Sequence, residues 1–388
     1  MPQDLSKLLA SVNKELKGGA KIQPISEVRT PYFVRRRFGL PGLDAACVGG
    51  LPGGTLCQVF GPDGAGKDYL TNRAMACIQE DYGDEANIFW MSFGYKPDLR
   101  FMRMAGMKLA YSDDELIAMG IDPAKATKEQ RGETVGNVVF IDIADDKDAL
   151  ASPAEYLLTV AQRFIESGHF QLGIINELGS GETKDNTKKG LHEDAKMATF
   201  ASLMSDFCRK MYTGLRRTGA DGSPNETTII AINPVRANLD SHSAKFRPYV
   251  QGSGHALKHA KVIDIHIDNK GFVRESGEKV GKITKWKIAK GKLGISEGAE
   301  GEYTFYFNKG VDTKRDVCVV AKSLGLIWNR GKYHYVYGHE ETKIAGKFDG
   351  AVQFLMTNPD IFAEIEALVT KGFNPNEAEN DHSSGPEG

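Results

Sequence analysis

Residues 61–68 read Gly61-Pro62-Asp63-Gly64-Ala65-Gly66-Lys67-Asp68. Three glycines let backbone amides turn toward phosphate oxygens, and Lys67 brings a positive charge to the end of the turn. The preceding run 55–60, Thr-Leu-Cys-Gln-Val-Phe, has the length and apolar content of a strand, and a helix follows to about residue 81. Strand, loop and helix in that order are the setting a phosphate-binding loop requires. The pattern normally closes on Ser or Thr, whose hydroxyl ligates the Mg²⁺ that bridges nucleotide phosphates. Asp68 puts an anion there instead. The stretch thus implies a phosphate-binding α/β fold and leaves open whether nucleotide is bound or cut.

Outward from this loop, strands and helices alternate. Residues 87–92 and 138–143 read as strands, the second of them buried, and 172–176 and 228–233 follow; helices start at Asp98 and fill 153–167 and 195–215. This alternation argues for a largely parallel α/β sheet. Beyond residue 260 the pattern changes to short, mostly antiparallel strands at 262–267, 283–289 and 303–307, and a compact α/β tail occupies 312–372. At the other end, Leu5, Leu8, Leu9, Val12 and Leu16 fall at helical spacing, an amphipathic helix over 4–17 that Gly18-Gly19 ends. Residues 373–388, rich in Asn, Glu, Ser, Gly and Pro, read as disordered.

With 41% hydrophobic and 26% charged residues in 388, the chain has the make-up of a soluble globular protein with room for a large core and satellites. No apolar run approaches the roughly 18 residues that span a membrane, and the N-terminus lacks a secretory core. Five scattered cysteines, an odd number without Cys-x-x-Cys pairing, fit a reduced, cytoplasmic setting better than a disulfide framework. A net charge of −2 gives no global sign of nucleic-acid binding, but the charge is uneven. Lysines crowd residues 279–292, and a local basic stripe can bind phosphates in a chain that is neutral overall.

Several stretches, taken in order, resemble the bacterial RecA recombinase family. They are Leu51-Pro52-Gly53-Gly54 with the strand and loop to Lys67, the segment from Asp98 to Gly106, Asn233 closing its strand, Gly254-His255-Ala256-Leu257-Lys258, and the Lys290-Gly291-Lys292 pair. Gly325-Leu326-Ile327, Gly331-Lys332-Tyr333-His334-Tyr335 and Asn358-Pro359-Asp360 are similar to the family's small C-terminal domain. The resemblance implies a RecA-like core at 39–311, its mostly parallel central sheet flanked by helices. It further implies an N-terminal helix and linker at 1–38 that pack on the next protomer of a filament, a small α/β domain at 312–372, and a disordered acidic tail at 373–388. The N-terminal helix could equally fold back on its own core. Drift in the motifs points toward phage-encoded relatives, and so to the cytoplasm of a bacterium or an infected host.

The resemblance also assigns a site. ATP with Mg²⁺ would sit on residues 61–68, its adenine beside Asp98 and stacked on Phe101, a position that suits a core-facing helix residue equally well. Lys290 and Lys292 would reach across the filament interface toward the neighbour's nucleotide. Four positions depart from the family's pattern. The metal-binding hydroxyl is Asp68, the general-base glutamate is Gly94, the metal-side carboxylate is Asn176, and the glutamine that senses the γ-phosphate is Pro234, which has neither a side-chain amide nor an N–H. No catalytic position of the family is intact, so efficient hydrolysis is not expected. Asp68 can still supply the carboxylate that Asn176 lacks, as a Mg²⁺ ligand.

Two polar loops, 179–196 and 236–254, follow central strands at the sheet edge where α/β proteins place ligands, and match the family's DNA-binding loops. Lys184, Lys188 and Lys189 in the first, with Arg236, Lys245 and Arg247 in the second, suit phosphate contacts that position a strand without reading its sequence. Phe246 and Tyr249 suit stacking on bases. The implied function is a homo-oligomeric filament on single-stranded DNA that responds to nucleotide, serves recombination or repair, and hydrolyses ATP weakly or not at all. Two rivals stand beside it: a DNA-coating protein without ATP chemistry, and a regulator on the same fold that binds a protein partner and no DNA.

Overall fold

The structure is a computed structural model that describes residues 3–15, 24–188, 197–219, 222–237, 249–251 and 254–371. At its centre is β1 (Leu56–Gly61), buried along nearly its whole length, as a strand covered on both faces must be. β2 (Asn87–Ser92), β3 (Asn137–Ile141), β4 (Leu172–Asn176) and β5 (Thr228–Ala237) lie parallel to it in the order β3-β2-β4-β5-β1. β6 (Tyr249–Gln251) pairs antiparallel with the far end of β5. On the other side of β1, β7 (Ile263–Glu275) runs parallel to it, and β8 (Glu278–Lys290), β9 (Glu300–Tyr306) and β10 (Gly310–Val311) extend the sheet antiparallel.

Helices cover both faces, and strand alternation decides which face each residue meets. Cys57, Val59, Ile88, Trp90 and Ile174 pack with α3 (Lys67–Tyr82) on one side. Leu56, Phe89, Met91, Ile175 and Ala231 pack with α5 (Pro153–Ser167) and α6 (Met197–Leu215) on the other. Other helices among the described residues include α1 (Gln3–Glu15), α2 (Pro41–Ala46), α4 (Leu99–Met104) and α7 (Gly254–Ala260). Leu8 of α1 is 58% exposed, so the chain's own core does not cover the apolar stripe there.

A third cluster is built from residues 317–369 alone, among them Val317, Leu326, Val336, Leu355 and Ile365. It joins α8 (Thr313–Ser323), α9 (Phe348–Thr357) and α10 (Pro359–Lys371) to a small sheet of β11 (Ile327–Arg330), β12 (Tyr333–Val336) and β13 (Ile344–Ala345). α8 docks on α2, where the buried Asp316 carboxylate accepts the Gly42 N–H at 3.1 Å.

Three expectations need correction. The strand expected buried at 138–143 is β3, an edge strand with one neighbour; Val139 and Phe140 are 37% and 38% exposed and only Ile141 is buried. The strands expected to be short at 262–267 and 283–289 are 13-residue arms of one hairpin, turned at Ser276-Gly277, and the first runs parallel to β1. Polar residues from Asp268 onward hide that length, because the hairpin projects beyond the core. The second polar loop also begins and ends as strand, since Arg236 and Ala237 pair with Val250 and Tyr249. No helix among the described residues is long and apolar enough to cross a membrane, and all five cysteines are buried free thiols. Gly18-Gly19 and 373–388 lie outside the described residues.

Candidate functional site

The turn from β1 into α3 builds the phosphate cradle. Gly61 passes so close to β7 that a Cβ there would overlap the Ile267 carbonyl oxygen. Gly66 is left-handed at φ +108° and caps α3 with no side chain, leaving the first-turn amides open toward the loop. Lys67 is buried beneath, its Nζ donating to the Gly61 and Pro62 carbonyls at 2.9 Å each, with Asp63 Oδ1 at 4.0 Å. Burial lowers the Lys67 pKa, and Asp68, Asp63 and Glu177 pull it back up. From β8, Lys282 Nζ donates to the Gly64 carbonyl and hangs over the same loop. Its pKa is lowered by burial and by Lys67, against Asp68.

The side expected to hold metal lies where β4 and β2 end together, Ser92 in register with Asn176. Asn176 is buried; its Oδ1 accepts the Glu177 N–H at 2.9 Å, and its side chain also meets the Tyr95 phenol. Glu177 is a left-handed non-glycine residue at φ +53°. Burial raises its pKa, Asp68 and Asp63 add to the rise, and Lys67 opposes it. Gly94 faces it so closely that a Cβ built on Gly94 would overlap Glu177 Oε2 and lie 2.6 Å from Cδ. Burial pushes the Tyr95 phenol up to about 12, with Asn176 acting against the rise and Asp68 and Glu177 with it. Pro234 lies opposite Gly61 in the β1–β5 register.

No group of three or more His, Cys, Asp or Glu side chains among the described residues could hold a metal alone. Magnesium at such a loop needs only one or two carboxylates beside phosphates and water, a demand that Asp68 can meet.

On the base side, Asp98 caps α4 by accepting from the Arg100 and Phe101 amides at 3.0 and 3.1 Å. The half-buried Phe101 ring sits edge-on to Tyr69 and Phe305, at 6.0 and 6.2 Å between centroids. It also lines an open hollow of about 520 Å³ with Asp98, Met104 and Lys309. Phe101 thus packs on the core along one edge and lines this hollow along the other. Lys290 turns to its own chain: its Nζ donates to the Lys258 and Lys261 carbonyls at the end of α7, at 2.6 and 2.8 Å. Lys292 is exposed.

The polar segments leave from the ends of β4 and β5, of which β5 pairs directly with β1. Lys184 and Lys188 are exposed on a short helical turn, anchored by the Lys184 N–H on Glu155 at 3.1 Å and the Thr187 hydroxyl on the Ala151 carbonyl at 2.6 Å. Lys189, Lys245, Phe246 and Arg247 lie outside the described residues, and Arg236 and Tyr249 are placed by strand register alone. Sequence reasoning missed Glu177, Tyr95 and Lys282. Glu177 stood directly after Asn176, and Lys282 fell within the lysine-rich stretch at 279–292, but its partner carbonyl lies 218 positions away.

The RecA N-terminal domain family matches residues 135–312, a stretch that holds Asn176, Pro234 and Lys282 but begins past the phosphate loop. Protein RecA of Aquifex pyrophilus is 25% identical over 362 residues, covering 93% of this chain and 89% of that protein. Protein RecA of Ruminococcus albus is 26% identical, covering 94% and 79%. A crystal structure of the RadB recombinase aligns with 71% of this chain and 98% of its own, at 14% identity and a TM-score of 0.43.

Proposed function

We propose that this chain is a member of the RecA family that binds single-stranded DNA as a nucleotide-responsive filament, with hydrolysis weakened by its four departures from the family's motifs. One observation carries the reading. The two basic segments leave the sheet from β4 and β5, and β5 lies beside the cradle with Pro234 opposite Gly61. A triphosphate on the loop would bear on the roots of both segments, so ligand state and DNA affinity can be linked through two strand ends. The filament, the ATP and Mg²⁺ requirement, the base contacts of Asp98 and Phe101, and a phage-type origin belong to this proposal. Lys282, poised over the cradle of its own chain, takes a phosphate-binding part that Lys290 and Lys292 were expected to fill from a neighbour.

The test is fluorescence anisotropy of a labelled single-stranded oligonucleotide across a salt series, with and without ATP and Mg²⁺. Affinity should fall steeply with salt, because phosphate contacts release counterions, and should tighten with ATP. Binding that ignores ATP would favour the DNA-coating reading. No binding at low salt would leave only the protein-binding regulator.

A further inference from the structure

We propose that Glu177 is the water-activating carboxylate of this chain, reaching from the end of β4 into the space that Gly94 leaves free at the end of β2. Glycine at 94 and glutamate at 177 are a complementary pair. No side chain fits at 94 while the Glu177 carboxyl stays, since a Cβ there would overlap Oε2. The two strand ends are stitched together by the Phe93 N–H on the Asn176 carbonyl at 3.2 Å. A carboxylate supplied from either strand therefore arrives in the same place. The family's base position at Gly94 is empty in sequence and filled in space.

Two further observations point the same way. Glu177 holds φ +53° and ψ 43°, a left-handed conformation that is strained for a non-glycine residue and persists where the surroundings impose it. The Asn176 side chain bonds its N–H, so the residue in the metal-side position also orients the proposed base. Asp68, Asp63 and Lys67 are the charges acting on the carboxyl, which sets it beside the phosphate loop.

The inference rests on the nucleotide-binding reading. With a nucleoside triphosphate on the loop, a water oxygen bonds to the terminal phosphorus and its proton passes to a Glu177 carboxylate oxygen. The bond from that phosphorus to the bridging oxygen breaks, and the electron pair leaves on the nucleoside diphosphate.

Phosphate release in the presence of single-stranded DNA, and affinity for a fluorescent ATP analogue, test it in wild type, E177Q, G94A and G94E/E177G. E177Q should lose about 10²-fold or more in turnover at unchanged nucleotide affinity. G94A keeps Glu177 but displaces the flexible end of its side chain, so it should fold normally and show the same loss. G94E/E177G, which returns the carboxylate to β2, should recover turnover. E177Q or G94A turning over like wild type would overturn the inference, as would a wild type that binds nucleotide and never hydrolyses it. A wild type that binds no nucleotide would instead sink the nucleotide-binding reading, and the inference with it.

Discussion

At the scale of single residues, Asp68 and Lys67 pull in opposite directions. A carboxylate in the first turn of α3 is favoured by the helix dipole, yet it stands where triphosphate charge would gather. Mg²⁺ reconciles the two if Asp68 ligates it. Asp68→Ala should then weaken Mg²⁺-dependent nucleotide affinity about tenfold or more, roughly 1.4 kcal/mol, and leave Mg²⁺-free binding unchanged or tighter. Titration calorimetry with and without Mg²⁺ reads both, and an unaltered Mg²⁺ dependence would remove Asp68 from the metal site. Lys67→Ala should abolish tight binding under either condition, because the positive charge buried under the cradle goes with it. That Asp68 was odd could be read directly, since the motif names the residue type expected there. The meaning of Glu177 could not. It depends on a glycine on another strand, and no local pattern joins positions 94 and 177.

At the scale of elements, legibility followed burial. β1, β2, β4 and β5 are apolar runs of strand length with both faces covered, and periodicity finds such runs. β3 carries the same kind of run but has one neighbour, so composition overstated its burial. The covered strands should be intolerant of added volume. A Cβ on Gly173 of β4 would meet the Phe89 ring, which is itself locked between Phe164 and Phe170. Gly173→Ala should therefore cost about 1–3 kcal/mol, read as a lower urea midpoint at unchanged slope. The α2–α8 contact makes a pH prediction. Burial raises the Asp316 carboxyl to about 6, above its unfolded value, with the Gly42 N–H pulling against it. The folded state then holds the proton more tightly, so this group's contribution to stability is lost as pH rises from about 4 through 6, by up to about 3 kcal/mol. Asp316→Asn keeps an acceptor for Gly42 and removes the titration. Denaturation of the full chain at pH 5 and 7.5 should show the variant gaining on wild type at the higher pH; equal differences at both would show that Asp316 is not the titrating group.

At the scale of the whole molecule, the question is whether phosphate chemistry on the loop reaches DNA through the strand ends. Alternation foretold the parallel sheet, and with it that both polar segments leave the same edge as the phosphate loop. It did not foretell that the second segment is carried out on a β5–β6 ribbon, because that pairing joins short stretches without an apolar run. The first segment is the better test, since Lys184 and Lys188 are exposed on a turn anchored to α5 and its leading residues rather than to the cradle. If they meet DNA phosphates, Lys184→Ala/Lys188→Ala should weaken binding uniformly across sequences and lower the slope of log affinity against log salt by about 2, one for each phosphate no longer neutralised. Nucleotide affinity without DNA should be untouched, because the anchors of this turn lie apart from Lys67. The ATP-induced tightening should shrink as well, since a segment that no longer grips DNA cannot report the state of the cradle. An unchanged slope would place DNA on the β5–β6 side alone. The link to nucleotide would then run through Pro234 and not through the end of β4, leaving Glu177 to act on phosphate without acting on DNA.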